Sequence, residues 1–99
     1  MYLVVFRNRK RSGIDAAAYS QAADAMEILA RQQPGYLSFK SFTADDGEVV
    51  AISEWESEEA ARAWGRNATH AAVQAKGRSD WYAEYHLLGG DMTRIHHFP

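Results

Sequence analysis

The chain has 99 residues, no cysteine and a formal net charge of −2 at pH 7. This length predicts one domain over residues 1–99 with a modest core, which a partner subunit would enlarge. The lack of cysteine excludes disulfides and thiolate metal sites, and the charge argues against a nucleic-acid surface, which is normally basic.

The first strand is predicted at residues 2–9, where β-branched and aromatic side chains dominate. This apolar run is too short for a membrane span or a signal-peptide core, so we expect a cytoplasmic protein with no membrane contact. A basic cluster follows, made of Arg7, Arg9, Lys10 and Arg11. It is interpreted as a solvated strand end, and a site for an anionic ligand is the alternative.

A helix is predicted from a cap at Asp15 to about Gln33. Ile14 and Tyr19 have the spacing of a hydrophobic staple, and the apolar residues between 19 and 30 recur at helical spacing. Pro34 and Gly35 should end this helix, because proline cannot continue the ladder and glycine tolerates the left-handed end conformation.

Two antiparallel strands are predicted at residues 36–43 and 48–56, joined through Asp46 and Gly47 as a hairpin. Ser57 should cap a second helix, with acidic residues in its first turn and arginines further along. The last strand is predicted at residues 81–98, with a bulge or kink at Gly89 and Gly90.

The order strand, helix, strand, strand, helix, strand predicts an α+β, ferredoxin-like fold with a four-stranded antiparallel sheet. Residue alternation gives two apolar sheet faces, with Val4 and Phe6 on one and Leu3 and Val5 on the other. Two helices on one side leave the second face open to water, so we expect a homodimer packed sheet to sheet.

The segment after the third strand carries Trp64 and His70. In an unbroken helix the two would lie about 120° apart, because six residues turn about 100° each. Gly65, Asn67 and Thr69 make a helix break plausible, with Asn67 or Thr69 capping a new helix that turns His70 towards Trp64. A solvent-facing His70 is the alternative.

The whole chain resembles the antibiotic biosynthesis monooxygenase superfamily of dimeric α+β barrels. The resemblance is carried by PGYLSF at residues 34–39, ISEWESEEA at residues 52–60, Trp64 followed by His70, and the pairs Gly77-Arg78 and Trp81-Tyr82. It implies a scaffold that serves cofactor-free monooxygenases, haem-degrading enzymes and small proteins of other roles.

For the cofactor-free enzymes, the resemblance implies oxidation of an electron-rich aromatic, such as a quinol, phenol or anthrone, by molecular oxygen. His70 would then be the base, Trp64 a stacking surface and Asn8 a donor to a substrate oxygen. Each has a plain alternative: a core tryptophan, an asparagine near a strand end, and a solvated histidine. The candidate lining residues are Phe6, Phe39, Phe42, Trp55 and Tyr82.

Two other functions stay open on the same scaffold, haem degradation and non-catalytic binding of a small molecule. The resemblance to the haem-degrading enzymes implies an iron ligand nine or ten residues after the tryptophan, which falls on Val73 or Gln74. No metal site is expected, because His96 and His97 are adjacent and point to opposite sides of a strand.

Overall fold

The protein is described by a computed structural model covering residues 1–99, with the side chain of residue 68 outside the description. The structure has four strands, three α-helices and one π-helical segment. In chain order these are β1 (Tyr2–Lys10), α1 (Ala16–Arg31), β2 (Tyr36–Thr43), β3 (Val49–Trp55), α2 (Glu58–Arg66), α3 (Ala68–Lys76), the π-helical segment Gly77–Trp81, and β4 (Tyr82–Asp91). None of the described helices is both long and apolar enough to cross a bilayer.

The four strands form one antiparallel sheet in the order β2-β3-β1-β4, which confirms the predicted ferredoxin-like fold. Both helix caps are also as predicted. The carboxylate of Asp15 accepts from Ala18 N at 3.0 Å, and the hydroxyl of Ser57 accepts from Ala60 N at 3.1 Å. The hairpin between β2 and β3 turns at Gly47, whose φ of +91° requires the freedom of glycine.

The end of the chain differs from the prediction in two ways. The last strand ends at Asp91, and residues 92–99 have no regular structure. The register shift lies at Arg9 and Lys10 rather than at Gly89 and Gly90. The phenol of Tyr2 occupies the space where a Cβ of Gly89 would lie, so glycine is needed there for close packing and not for a bulge.

The register assigns each strand residue to one of the two faces. Phe6 is paired with Ala51 and Leu87, and Val5 with Ile52 and Leu88. The helices cover the face of Phe6, because Tyr19 of α1 and Trp64 of α2 contact Tyr82 and Trp55 on that side. The helix-facing side of β1 therefore carries Tyr2, Val4, Phe6, Asn8 and Lys10.

The core is small and lies at the two ends of this helix-facing side. Of the residues that the structure describes, the buried apolar ones are Ala30, Trp55 and Trp81, and only Trp55 is fully buried. The opposite face has no helix over it, and it leaves Phe42 50% and Leu88 53% exposed.

Candidate functional site

The helix break predicted between Trp64 and His70 is present and brings the two rings together. Asn67 has a φ of −56° and a ψ of 126°, which separates α2 from α3. Its side-chain oxygen accepts from the backbone N–H groups of Thr69 at 3.1 Å and His70 at 3.2 Å, as an N-cap does. His70 consequently lies in the first turn of α3, and its imidazole stacks on the Trp64 indole with centroids 4.0 Å apart and planes 11° apart.

A single hydrogen bond determines the tautomer of this imidazole. His70 Nδ1 lies 3.0 Å from the carbonyl oxygen of Trp64. A carbonyl only accepts, so Nδ1 carries the hydrogen and donates it, and Nε2 holds the lone pair. Burial lowers the pKa of His70 below its ordinary value, although the Trp64 carbonyl opposes this. The imidazole is therefore neutral near pH 7, with Nε2 able to accept a proton.

Trp64 is held in place by a second tryptophan. Trp55 is 1% exposed, its indole N–H donates to Ser53 Oγ at 3.0 Å, and Tyr36 packs edge-on against it at 5.7 Å. The Trp64 ring lies 6.4 Å from the Trp55 ring. Trp55 is thus a core residue behind the site, whereas Trp64 is half-buried and reachable.

An open groove gives access to Trp64 from outside. Its volume is about 330 Å³, and it runs between the start of β2 and α2. Gly35, Glu59 and Ala60 line it with Trp64. Trp64 therefore has one ring face near His70 and remains exposed to solvent at the groove.

Asn8 lies in a different polar cluster at the other end of β1. It is 3% exposed, and the ammonium of Lys10 donates to its side-chain oxygen. The same ammonium lies 4.5 Å from the ring centre of Tyr19 and 5.4 Å from that of Tyr82. Burial and the neighbouring Tyr19 raise the pKa of Tyr82, so its hydroxyl stays protonated.

The structure therefore brings Trp64 and His70 together but places Asn8 elsewhere. Ser53, to which the Trp55 indole donates, is paired with Val4. Val4 and Asn8 are four positions apart along β1, about 13 Å at 3.3 Å per residue. The contacts described for Asn8 and for His70 share no residue, so the two side chains belong to separate clusters on the helix-facing side.

Four of the five candidate lining residues share this side. Phe6 packs against Tyr82 at 5.4 Å, and Phe39 is paired with Ser53 on the same face as Trp55. Phe42 is paired with Val50 and lies on the opposite face, so it does not join the others.

Two further residues of the Asn8 cluster were not among the sequence candidates. Lys10 was included only in the basic cluster, and Tyr19 only in the apolar stripe of the first helix. The alternation that places Asn8 and Lys10 on one side of β1 was a usable signal for Lys10. The contact with Tyr19 depends on how α1 packs and gives no local signal.

Comparison with known proteins identifies the family. A sequence model described as antibiotic biosynthesis monooxygenase matches residues 1–76. The chain belongs to the antibiotic biosynthesis monooxygenase family. It is also 36% identical over 93 residues to the uncharacterised protein YqjZ of Bacillus subtilis, covering 94% of this chain and 80% of YqjZ.

Solved structures of other proteins share the fold. Rv0793 from Mycobacterium tuberculosis superposes with a TM-score of 0.82 at 18% identity, covering 95% of this chain and 96% of that one. A mutant of SnoaB, a cofactor-independent oxygenase from Streptomyces nogalater, superposes with a TM-score of 0.78 at 14% identity. The match covers 95% of this chain and 94% of that one. At these identities the likeness concerns the fold alone.

The residues at the position implied for haem do not suit that group. Val73 offers no donor atom, and Gln74 is not an ordinary haem ligand. His70 lies six residues after Trp64 rather than nine or ten, so it is not at the implied ligand position. Among the described residues, no group of three metal-ligating side chains of the His, Cys, Asp and Glu types comes together.

Proposed function

We propose that the protein is a cofactor-independent monooxygenase that oxidises a small electron-rich aromatic, of the quinol, phenol or anthrone type, with molecular oxygen. The observation that carries this proposal is the neutral His70, whose Nδ1–H donates to the Trp64 carbonyl and whose Nε2 is a base beside a stacking surface. Family membership supports the reaction class, and the name of SnoaB describes that protein as an oxygenase of this kind.

The proposed oxidation needs a base to deprotonate the substrate, because the substrate anion can then reduce oxygen directly. His70 Nε2 takes a proton from the substrate, and the resulting carbanion or phenolate gives one electron to oxygen. The substrate radical and superoxide then combine to a peroxide at the ring carbon. Loss of water from that peroxide leaves a ketone, so an anthrone and one O₂ give an anthraquinone and one H₂O.

The substrate would lie along the helix-facing side of the sheet. Trp64 offers the part of its ring that lines the open groove at the His70 end, and Phe6 offers an apolar surface nearer Asn8. Since about 13 Å of strand separates the two ends, this arrangement favours an elongated, fused-ring substrate over a single ring.

Oxygen consumption with 9-anthrone tests the proposal. We expect uptake above the uncatalysed rate, with one anthraquinone formed per O₂. His70→Ala should reduce the rate about 100-fold or more, because it removes the base. The control His97→Ala removes an exposed histidine and should keep full activity.

Three results would contradict the proposal. Uptake at the uncatalysed rate with a panel of anthrones and quinols would favour a non-catalytic binding protein. Full activity in His70→Ala would remove the base assigned above. A stoichiometric Soret shift on haem titration, lost in His70→Ala, would instead support haem degradation.

We also propose that the protein is a cytoplasmic homodimer, with the open sheet faces of two copies packed together. Support comes from the apolar composition of the face opposite the helices. The apolar residues of this face are Leu3, Val5, Phe42, Val50, Ile52 and Leu88. Apolar sheet faces of this kind are stable when covered.

A further inference from the structure

Lys10 differs from its neighbours in the basic cluster. Arg7 forms an ion pair with Glu48 at 3.0 Å, and Arg9 forms one with Asp46 at 2.8 Å. These two cations are neutralised at the sheet surface.

Arg11 is engaged in a different way. Its guanidinium donates to the backbone carbonyls of Tyr82 at 2.9 Å, Ser79 at 2.7 Å and Arg78 at 2.9 Å. It thereby holds the π-helical segment against the start of β4 and is not available to a ligand.

The partners of Lys10 are uncharged. Its ammonium donates to the Asn8 side-chain oxygen and lies over the rings of Tyr19 and Tyr82, at 4.5 Å and 5.4 Å from their centres. Within the described part of the chain, no carboxylate lies within ion-pair distance of this ammonium. A partly buried charge without a counter-ion costs free energy, and an anion bound beside it would recover that cost.

The contact with Lys10 also orients Asn8. An ammonium can only donate, so the atom of Asn8 that faces it is the carbonyl oxygen, and the amide NH₂ points the other way. No hydrogen bond described for the chain uses that NH₂. Since no fully buried polar side-chain atom of the described residues lacks a partner, the NH₂ is reachable from solvent. Asn8 is therefore a donor held ready beside a cation.

We propose that Lys10 and Asn8 form a subsite for an anionic oxygen of an aromatic ligand, a carboxylate or an ionised phenol. Phe6 and Tyr85, 5.4 Å apart, provide an apolar surface next to the subsite for the ring that carries this oxygen. The choice of a fused-ring ligand rests on the proposed function, but the recognition of the anion does not. The subsite makes Lys10 a specificity-determining residue that lies away from the base His70.

Binding of matched, non-oxidisable ligands tests this subsite. The probes are anthraquinone-2-carboxylate and its neutral carboxamide, measured by titration calorimetry with the wild-type protein. Because hydrogen bonds to charged groups are stronger than neutral ones, the carboxylate should bind about tenfold or more tightly than the carboxamide. Equal affinities for the charged and the neutral member, both in this pair and in the phenol pair described below, would overturn the proposal without any variant.

Variants assign the preference to Lys10. Lys10→Met should abolish the discrimination between the two ligands, and Lys10→Arg should keep most of it. Lys76→Met is the matched control, because it removes the same charge from an exposed lysine of α3 that also lies over an aromatic ring, Trp81, and is not on the open sheet face. Discrimination that survives in Lys10→Met, or disappears in Lys76→Met, would contradict the assignment.

A second ligand pair separates the two sources of the anion. It consists of 2-hydroxyanthraquinone, at a pH at which the free phenol is ionised, and its methyl ether. A preference for the phenolate alone would assign the subsite to ionised phenols, and a preference for the carboxylate alone to carboxylates. Oxygen uptake is measured separately, so a protein that discriminates the anions but consumes no oxygen would retain the subsite and lose the proposed oxygenase function.

Discussion

The imidazole of His70 lies flat on the indole of Trp64, with ring centroids 4.0 Å apart, although the two residues are six positions apart. This contact exists because Asn67 ends one helix and caps the next, which turns His70 back over Trp64. The Trp64 carbonyl, at the end of α2, then receives the Nδ1 hydrogen of His70. One break in a helix thus provides both the ring stack and the tautomer.

The stability of the fold should depend on pH through His70. Burial lowers its pKa in the folded state, so below pH 6.5 the unfolded chain binds this proton more readily than the folded one. The free energy of unfolding should therefore rise with pH between the lowered pKa of folded His70 and about 6.5. The stability that the neutral His70 contributes is present above about pH 6.5 and is lost as the pH falls through this window. Urea unfolding at several pH values measures the slope.

His70→Gln should remove the part of the pH dependence of unfolding that comes from His70. His97→Gln is the control and should keep it, because it leaves His70 in place. A wild-type slope in the His70→Gln protein would show that other groups produce the dependence.

Asn67→Ala should weaken both the fold and the site. It removes the oxygen that accepts from Thr69 N and His70 N, at a cost of about 0.5–2 kcal/mol in the free energy of unfolding. Because the first turn of α3 carries His70, we also expect a lower rate of anthrone oxidation. Asn67→Asp keeps the cap and should restore stability, whereas equal losses in both variants would contradict the capping role.

The sequence predicts most of the fold because its signals are local. The caps at Asp15 and Ser57 and the turn at Gly47 depend on neighbouring backbone groups, and all three are present. The bulge expected at Gly89 is absent for a physical reason. Its role is to make room for Tyr2, a contact between two strands that no local pattern shows.

The site was only partly predictable for the same reason. The break at Asn67 is a local signal, so the meeting of Trp64 and His70 could be anticipated as one of two alternatives. The distance of Asn8 from them follows from the sheet register, which pairs Asn8 with Val49 at the far end of β3. Phe39 and Phe42 are three positions apart in β2 and so lie on opposite faces, although the sequence analysis gives both as lining candidates, and only the packed helices show which face is which.

Gly35 should be far less tolerant of substitution than Gly13. Both have positive φ, +83° and +71°, which costs an alanine about 1–2 kcal/mol. A Cβ on Gly35 would also lie 2.5 Å from the Cβ of Ala60, whereas one on Gly13 meets nothing within 4 Å. Gly35→Ala should therefore lower the free energy of unfolding by clearly more than Gly13→Ala in urea titrations. Equal losses would show that α2 moves away from the start of β2 without cost.

A lysine on the open sheet face should separate the proposed dimer. Ile52 lies on that face in the central strand β3, paired with Val5 and Lys40, so two copies would bring its side chain into the interface. Burying an unpaired ammonium there is costly, and Ile52→Lys should shift the mass in sedimentation equilibrium from dimer to monomer.

The matched control is Ile28→Lys, at a helix position that is 61% exposed. It adds the same charge and removes the same side chain, and it should leave the dimer intact. A wild-type protein that is monomeric at micromolar concentration, or an Ile52→Lys protein that stays dimeric, would place any interface elsewhere. Because the helix-facing side carries His70 and Trp64, a folded Ile52→Lys monomer should still bind anthraquinone, which separates the roles of the two faces.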